Sequence, residues 1–158
     1  MLQPNHPEIR DASDADWTAI ADLLTASGLP HDGAEAHLAR FIVAERDERI
    51  VGCACVEPYG DAGLLRSVAV AASERGRGVG EALTARAAER AATGGMTALF
   101  LLTTTASLFF ARLGFVVIGR DAAPAAVRGA GQFSGGCCST AVAMRLALPL
   151  RRRVGVRS

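Results

Sequence analysis

Apolar positions along the chain follow two rhythms, and clusters of turn-forming residues separate them. Residues 6–10 read as a short first strand. Ser13, Asp14, Ala15 and Asp16 then supply a helix start, with Ser13 or Asp14 as N-cap and acid in the first turn. Trp17, Ile20, Leu23 and Leu24 follow at helical spacing, and Gly28 and Pro30 end that helix. Residues 34–38 predict a short second helix. Residues 41–45 and 50–56 are apolar strands joined by the charged turn Arg46, Asp47, Glu48, Arg49. Pro58, Tyr59, Gly60 and Asp61 read as a turn, and residues 64–70 as the next strand.

Residues 79–93 are strongly helical, rich in alanine, leucine and paired charges, and Gly94 and Gly95 close that helix. Residues 98–102 form a strand, 107–113 a short helix ended by Gly114, and 115–118 another strand. Pro124 fits the first position of a helix over 125–130. Residues 139–146 make the last strand. The order β-α-α-β-β-β-α-β-α-β-α-β predicts an α/β (α+β) chain whose strands and helices mix around one sheet. Neither repeats nor a linker divide it. The expectation is one domain over 1–158, with a core of about 7–147 and a basic tail over 148–158.

Composition narrows this picture without redirecting it. Half of the 158 residues are apolar, which is globular and enough for a core without disulfides or a structural metal. The formal net charge of +1 provides no strong field for nucleic acid or a membrane surface. Arg151, Arg152 and Arg153 read as a solvated end. Every apolar run is interrupted before membrane-spanning length, and the first ten residues lack the pattern of a secretory signal. A cytoplasmic protein is expected. Cys53 and Cys55, two apart in an apolar run, read as small buried hydrophobes on one strand face. Cys137 and Cys138 follow two glycines and read as more exposed. None of the four cysteines has zinc or C-x-x-C redox spacing. His6, His31 and His37 lack metal-ligand spacing and read as surface or loop residues, so no metal is expected.

The chemistry concentrates in LLRSVAVAASERGRGVGEALTARAAERA. A buried strand ends at Val70, a short loop over 71–74 follows, then Arg75-x-x-Gly78-x-Gly80 opens a helix. Glycines let a backbone approach a ligand without a Cβ in the way. The first N–H groups of a helix lack internal partners and carry the positive end of its dipole. Arg75 and Arg77 add full charges. Together these make a pyrophosphate pocket. Other phosphate loops fit worse: the chain has no lysine for a Walker A motif, and Gly76, Gly78 and Gly80 are misspaced for G-x-G-x-x-G.

This stretch resembles the R/Q-x-x-G-x-G/A motif of the GCN5-related N-acetyltransferases (GNAT). The downstream Phe109, Phe110, Ala111, Arg112, Leu113, Gly114, Phe115 looks like that family's acceptor-side helix and Gly-Phe turn. The resemblance covers residues 9–146 and is most specific over 64–115. It implies a mixed, mostly antiparallel sheet flanked by helices, with acetyl-CoA as cofactor. Val68, Ala69 and Val70 would offer main-chain groups to the pantetheine arm. Arg75, Gly76, Arg77, Gly78, Val79, Gly80 and Glu81 would hold the pyrophosphate. A homodimer is common in the family. Leu101, Leu102, Thr103, Thr104 and Thr105 before a Phe-Phe helix look like the amino-acid acetylating branch, which includes N-acetylglutamate synthases. GLLRSVAV, LLTTTA and PAAVRGAGQF look most like the arsenic-resistance N-acetyltransferases called ArsN. That likeness implies a glutamate-like acceptor such as arsinothricin or phosphinothricin.

Acetyl transfer needs a neutral amine, a polarised thioester carbonyl and stabilisation of the departing thiolate. The Val70 N–H, or its neighbour, is a candidate for the oxyanion. Many family members carry a tyrosine acid on the acceptor-side helix. Phe110 stands there instead and reads as a wall against the cofactor arm; the one tyrosine, Tyr59, lies in an earlier turn. Glu57 is the candidate base, taking a proton directly or through water; a solvated strand-end carboxylate is the plainer alternative. Arg66 shares the strand face of Val68 and Val70 and is either a bidentate clamp on a substrate carboxylate or a structural ion pair. Arg128 is a second carboxylate candidate. Thr103 and Thr104 are candidates for substrate or cofactor contacts, and Thr105 is the expected cap of the next helix. The alternatives in function are another small amine or a peptide as acceptor, a non-catalytic acetyl-CoA sensor, or metalloid binding by Cys137 and Cys138.

Overall fold

The computed structural model describes residues 7–29, 33–130 and 141–149. Its elements follow the expected order. They are β1 (Glu8–Asp11), α1 (Trp17–Ala26), β2 (Phe41–Arg46), β3 (Arg49–Tyr59), β4 (Ala62–Val70), α2 (Val79–Thr93), β5 (Ala98–Thr103), α3 (Ser107–Arg112), β6 (Val116–Ile118), α4 (Ala125–Arg128) and β7 (Val142–Ala147). The seven strands form one sheet in the order β1-β2-β3-β4-β5-β7-β6, flanked by helices. β4 and β5 are parallel, and the pairs β1–β2, β2–β3, β5–β7 and β6–β7 are antiparallel. Among the described residues no helix is long and apolar enough to cross a membrane. His6, His31, Asp32, Cys137, Cys138 and the arginine tail lie outside the described residues.

By contacts the chain divides into two compact units. The first runs to Glu57 and resumes over Leu65–Ala87. Its core forms where the 3.6-residue rhythm of α1 meets the two-residue rhythm of the strands. Ile20, Leu23 and Leu24 pack with Phe41, Val43, Cys53, Cys55 and Ala69. The register pairs Phe41 with Cys55 and Val43 with Cys53, so all four side chains share one sheet face. Both cysteines are therefore the small buried hydrophobes their spacing suggests. Burial pushes the Cys53 thiol up to about 12. A close approach is visible at Gly52: an added Cβ would lie 2.8 Å from Leu83 Cδ1 and 3.0 Å from Val79 Cγ1. The missing side chain lets α2 settle on β3.

Three expectations in this unit need correction. The helix predicted over 34–38 is a 3-10 segment, Ala34–Arg40, whose His37 has non-helical angles (φ −106°, ψ 16°). Asp14–Asp16 is likewise a 3-10 turn before α1, with Ser13 as its N-cap. The loop after Val70 contains a third such turn, Ala72–Glu74. The charged hairpin turn is real, and Asp47 and Glu48 adopt left-handed angles (φ 54° and 65°), as a tight β-hairpin requires.

The second unit comprises Pro58–Leu64 and the chain from Ala88 on. Ala62, Leu64, Ala98, Phe100, Ala123, Val127, Ala130 and Ala143 form its core. β3 continues through Pro58 and Tyr59, where a turn was expected, and the turn falls at Gly60 (φ 70°). The β2 ladder has ended at Cys55, so Pro58 interrupts no bond to β2. The helix expected over 125–130 stops at Arg128. Pro124 sits at its N-cap in extended geometry, one place earlier than expected, and its carbonyl accepts the Arg128 N–H. β7 is observed over Val142–Ala147.

Candidate active site and cofactor loop

The phosphate-loop candidate is built by backbone geometry. Gly76 and Gly78 adopt φ of 79° and 86°, a region costly to any residue with a Cβ. The space where a Cβ would stand is open at both, with nothing within 4 Å. The first α2 ladder bond runs from Ala82 N to Gly78 O. The N–H groups of Val79, Gly80 and Glu81 therefore precede the ladder at the positive end of a 15-residue helix. The amides of Arg75 and Arg77 already donate to Ala72 O and Glu74 O, each at 3.3 Å. The amide donors thus narrow from the whole of 75–81 to its glycines and the helix start. Arg75 is exposed, and its Nε donates to Val70 O at 3.3 Å. Arg77 is half exposed and lies 3.7 Å from Glu74, which is itself buried against Arg46 at 3.1 Å. That acid anchors the loop and leaves a cationic outer surface.

Val68 and Val70 are half-buried, while Ser67 and Ala69 between them are buried. Ser67 has a left-handed φ of 59°, and its carbonyl accepts Cys53 Sγ–H at 3.4 Å. In the register, β4 pairs with β5 from Ala62↔Ala98 to Leu64↔Phe100.

The acid–base candidates come together in the first unit. Arg66 Nη1 donates to Glu57 Oε2 at 2.6 Å. Glu57 is 4% exposed, so the solvated strand-end alternative is wrong: this is a buried carboxylate. His37 Nε2 lies 3.5 Å from the same Oε2. Arg40 Nη1 lies 3.2 Å from His37 Nδ1. His37 is part-exposed, in keeping with a surface residue, and adds a contact with Glu57 that was not expected. Only the i, i+3 spacing of His37 and Arg40 was visible beforehand, because the contact with Glu57 spans twenty residues and depends on the 3-10 segment.

The remaining candidates lie in the second unit. Phe110 is buried, with Phe109 and Phe115 edge-on at 5.0 and 5.5 Å. Thr103 Oγ1 accepts the Ala106 N–H at 3.0 Å, so Thr103, not Thr105, ties the start of α3. Thr104 and Thr105 are exposed. Arg128 is exposed and its Nε donates to Ala123 O at 3.1 Å within its own helix start. Among the described residues no group of three or more His, Cys, Asp or Glu side chains is arranged to hold a metal ion.

The acetyltransferase (GNAT) domain family model matches residues 37–117, just over half of the chain. The chain belongs to this family. It has the GNAT fold. It is 33% identical over 137 residues to an amino-acid acetyltransferase of Pseudomonas putida, covering 80% of this chain and 31% of that protein. It resembles N-acetylglutamate synthase from Neisseria gonorrhoeae, solved with coenzyme A and N-acetyl-glutamate. The TM-score is 0.80 at 28% identity, over 92% of this chain and 35% of that one. A Mycobacterium tuberculosis protein solved in complex with CoA matches with TM-score 0.79 and 25% identity, over 90% of this chain and 99% of that one. The GNAT chain thus spans about a third of the length of the first two relatives. The open left-handed glycines, the helix start and the exposed arginines fit a CoA pyrophosphate.

Proposed function

We propose that this GNAT domain acetylates the α-amine of a small acidic amino acid, glutamate or a toxic glutamate-like analogue of the kind handled by arsenic-resistance N-acetyltransferases. The observation that carries the reading is the buried pair of Glu57 and Arg66. The Arg66 guanidinium fixes the position of the Glu57 carboxylate at the strand end. Glu57 would take that proton from the acceptor amine, directly or through a water. The cationic side chains Arg66 and Arg40 outnumber Glu57 in this cluster, which favours an acceptor bearing its own carboxylate. The names of the amino-acid acetyltransferase and N-acetylglutamate synthase relatives agree with that class. The strings GLLRSVAV and LLTTTA support the arsenic-resistance branch.

Acetyl-CoA, when bound, supplies the activated acetyl group. The chain's own part is placement. Gly76, Gly78 and the first amides of α2, with Arg75 and Arg77, would hold the pyrophosphate. Val68, Ala69 and Val70 would pair with the pantetheine arm, and the Val70 N–H would face the carbonyl oxygen. Holding both reactants together makes the attack effectively unimolecular.

The test is thiol release from acetyl-CoA with a panel of amino acids, including glutamate and its phosphinic and arsonic analogues. Release with acidic amino acids and not with polyamines or aminoglycosides is expected. Release with polyamines alone would replace the acceptor class. Phe110, where many relatives carry a tyrosine acid, supports one second reading, a non-catalytic acetyl-CoA sensor. It predicts tight cofactor binding and no thiol release with any amine.

A further inference from the structure

We propose that His37 is a positioning residue for Glu57, with its tautomer set by Arg40. The inference rests on the acetyl-transfer reading above and deepens it. A guanidinium can only donate hydrogen bonds. With Arg40 Nη1 at 3.2 Å, His37 Nδ1 is the acceptor of that pair. The ring proton of neutral His37 therefore sits on Nε2, the nitrogen that faces Glu57. Arg66 Nη1 and His37 Nε2 both converge on Oε2, at 2.6 and 3.5 Å. Two cationic or N–H groups against one oxygen restrict the rotation of the carboxylate plane more than Arg66 alone would. The Arg66 bond is short, while His37 approaches at 3.5 Å without a formed hydrogen bond and is the adjustable member.

These four side chains enter from three parts of the chain. Arg66 comes from β4, Glu57 from β3, and His37 and Arg40 from the 3-10 segment Ala34–Arg40. His37 sits at the one position of that segment with non-helical angles. Its side chain is 35% exposed while that of Glu57 is 6% exposed. His37 is thus the solvent-facing edge of a buried carboxylate, and the charged groups around it are Arg40, Glu57 and, through Glu57, Arg66.

The test uses the full chain with two readouts. The first is activity. His37→Ala should lower kcat on the order of tenfold with the acceptor KM little changed. It should also move the acid limb of the kcat/KM profile to higher pH, because the carboxylate loses a neighbouring N–H. His37→Gln, which keeps an N–H donor, should recover most of both. The second needs no turnover: 15N NMR of the wild-type protein near neutral pH should show His37 with its proton on Nε2. Arg40→Ala should mix the tautomers. An unchanged kcat and acid limb in His37→Ala would overturn the inference, as would a proton on Nδ1, whatever the activity. Wild-type protein that shows the Nε2–H form yet releases no thiol with any amine would fail the acetyl-transfer reading, and this inference with it.

Discussion

Arg66 Nη1 lies 2.6 Å from Oε2 of Glu57, and both side chains are largely shut away from water. The pair fixes the orientation of the carboxylate proposed to take the proton. Glu57→Gln keeps the shape and removes the base. We expect kcat to fall by roughly 10² to 10⁴, with acetyl-CoA affinity little changed. Single-turnover kinetics would check this. A variant as fast as wild type would leave proton removal to water alone.

Arg66→Leu should be worse tolerated than Glu57→Gln. It removes the guanidinium from a buried carboxylate, a defect of up to about 3 to 5 kcal/mol in buried pairs. The double variant Arg66→Leu/Glu57→Gln should recover part of that loss, because both charges are then gone. Urea denaturation of the three variants would measure it. Losses of the two single variants that simply add up to the loss of the double would show that the pair does not couple.

Gly78→Glu should abolish cofactor binding for two separable reasons. Gly78 has φ 86° in open space, so any side chain is strained there without clashing. The strain alone is about 1 to 2 kcal/mol. The added carboxylate then places negative charge where two phosphates are expected. Gly78→Ala should therefore weaken CoA binding less than Gly78→Glu, and calorimetry would resolve the two. Identical affinities for both variants and the wild type would remove the loop from the cofactor site.

The order of strands and helices was legible because burial and periodicity coincide. Ile20, Leu23 and Leu24 sit at helical spacing and are all buried. The candidate cofactor loop stands out in the sequence because its chemistry is local: three glycines, two arginines and a helix start lie within six residues. The 3-10 segments were not legible, since Ala34–Arg40 and Asp14–Asp16 carry ordinary helix-start residues and only hydrogen bonding distinguishes them. Pro58 read as a turn because the end of the β2 ladder at Cys55 cannot be seen from one strand alone. His37 was missed for the same reason, as its partner Glu57 is reached only through tertiary structure. Thr105 was chosen as a cap over Thr103 because neighbouring threonines are indistinguishable until the loop geometry is known.

Gly52 offers a test of packing independent of any ligand. Its absent Cβ would meet Leu83 Cδ1 at 2.8 Å, Val79 Cγ1 at 3.0 Å and the Ala69 carbonyl at 3.3 Å. Two of those are side-chain ends on α2, the helix whose start forms the phosphate loop. Gly52→Val should destabilise by about 1 to 3 kcal/mol through overpacking. It should also weaken CoA binding, because α2 has to shift. Gly52→Val combined with Leu83→Ala should restore part of the stability. Thermal melts and CoA titrations on the two proteins would show whether the losses move together.

Asp16 sets an acid limit on stability. Arg10 donates to both of its oxygens, at 2.8 and 3.1 Å, and the Ser13 N–H donates at 2.7 Å. The Arg10 hydrogen bonds, chiefly, hold the Asp16 carboxyl below the usual carboxylate range, against the opposing effect of burial. The folded value thus lies below the unfolded one, near 4. The unfolded state then binds more protons in between, so stability rises with pH across that interval. The contribution is complete above the unfolded value and is lost as pH falls through the folded one. Asp16→Asn should cost about 2 kcal/mol at pH 7, and the gap to wild type should close as the pH is lowered towards 2. Urea midpoints at pH 7, 4 and 2.5 would measure the gap. A gap that stays constant over that range would mean that the Arg10 pair does not bias the protonation of Asp16 in the folded chain.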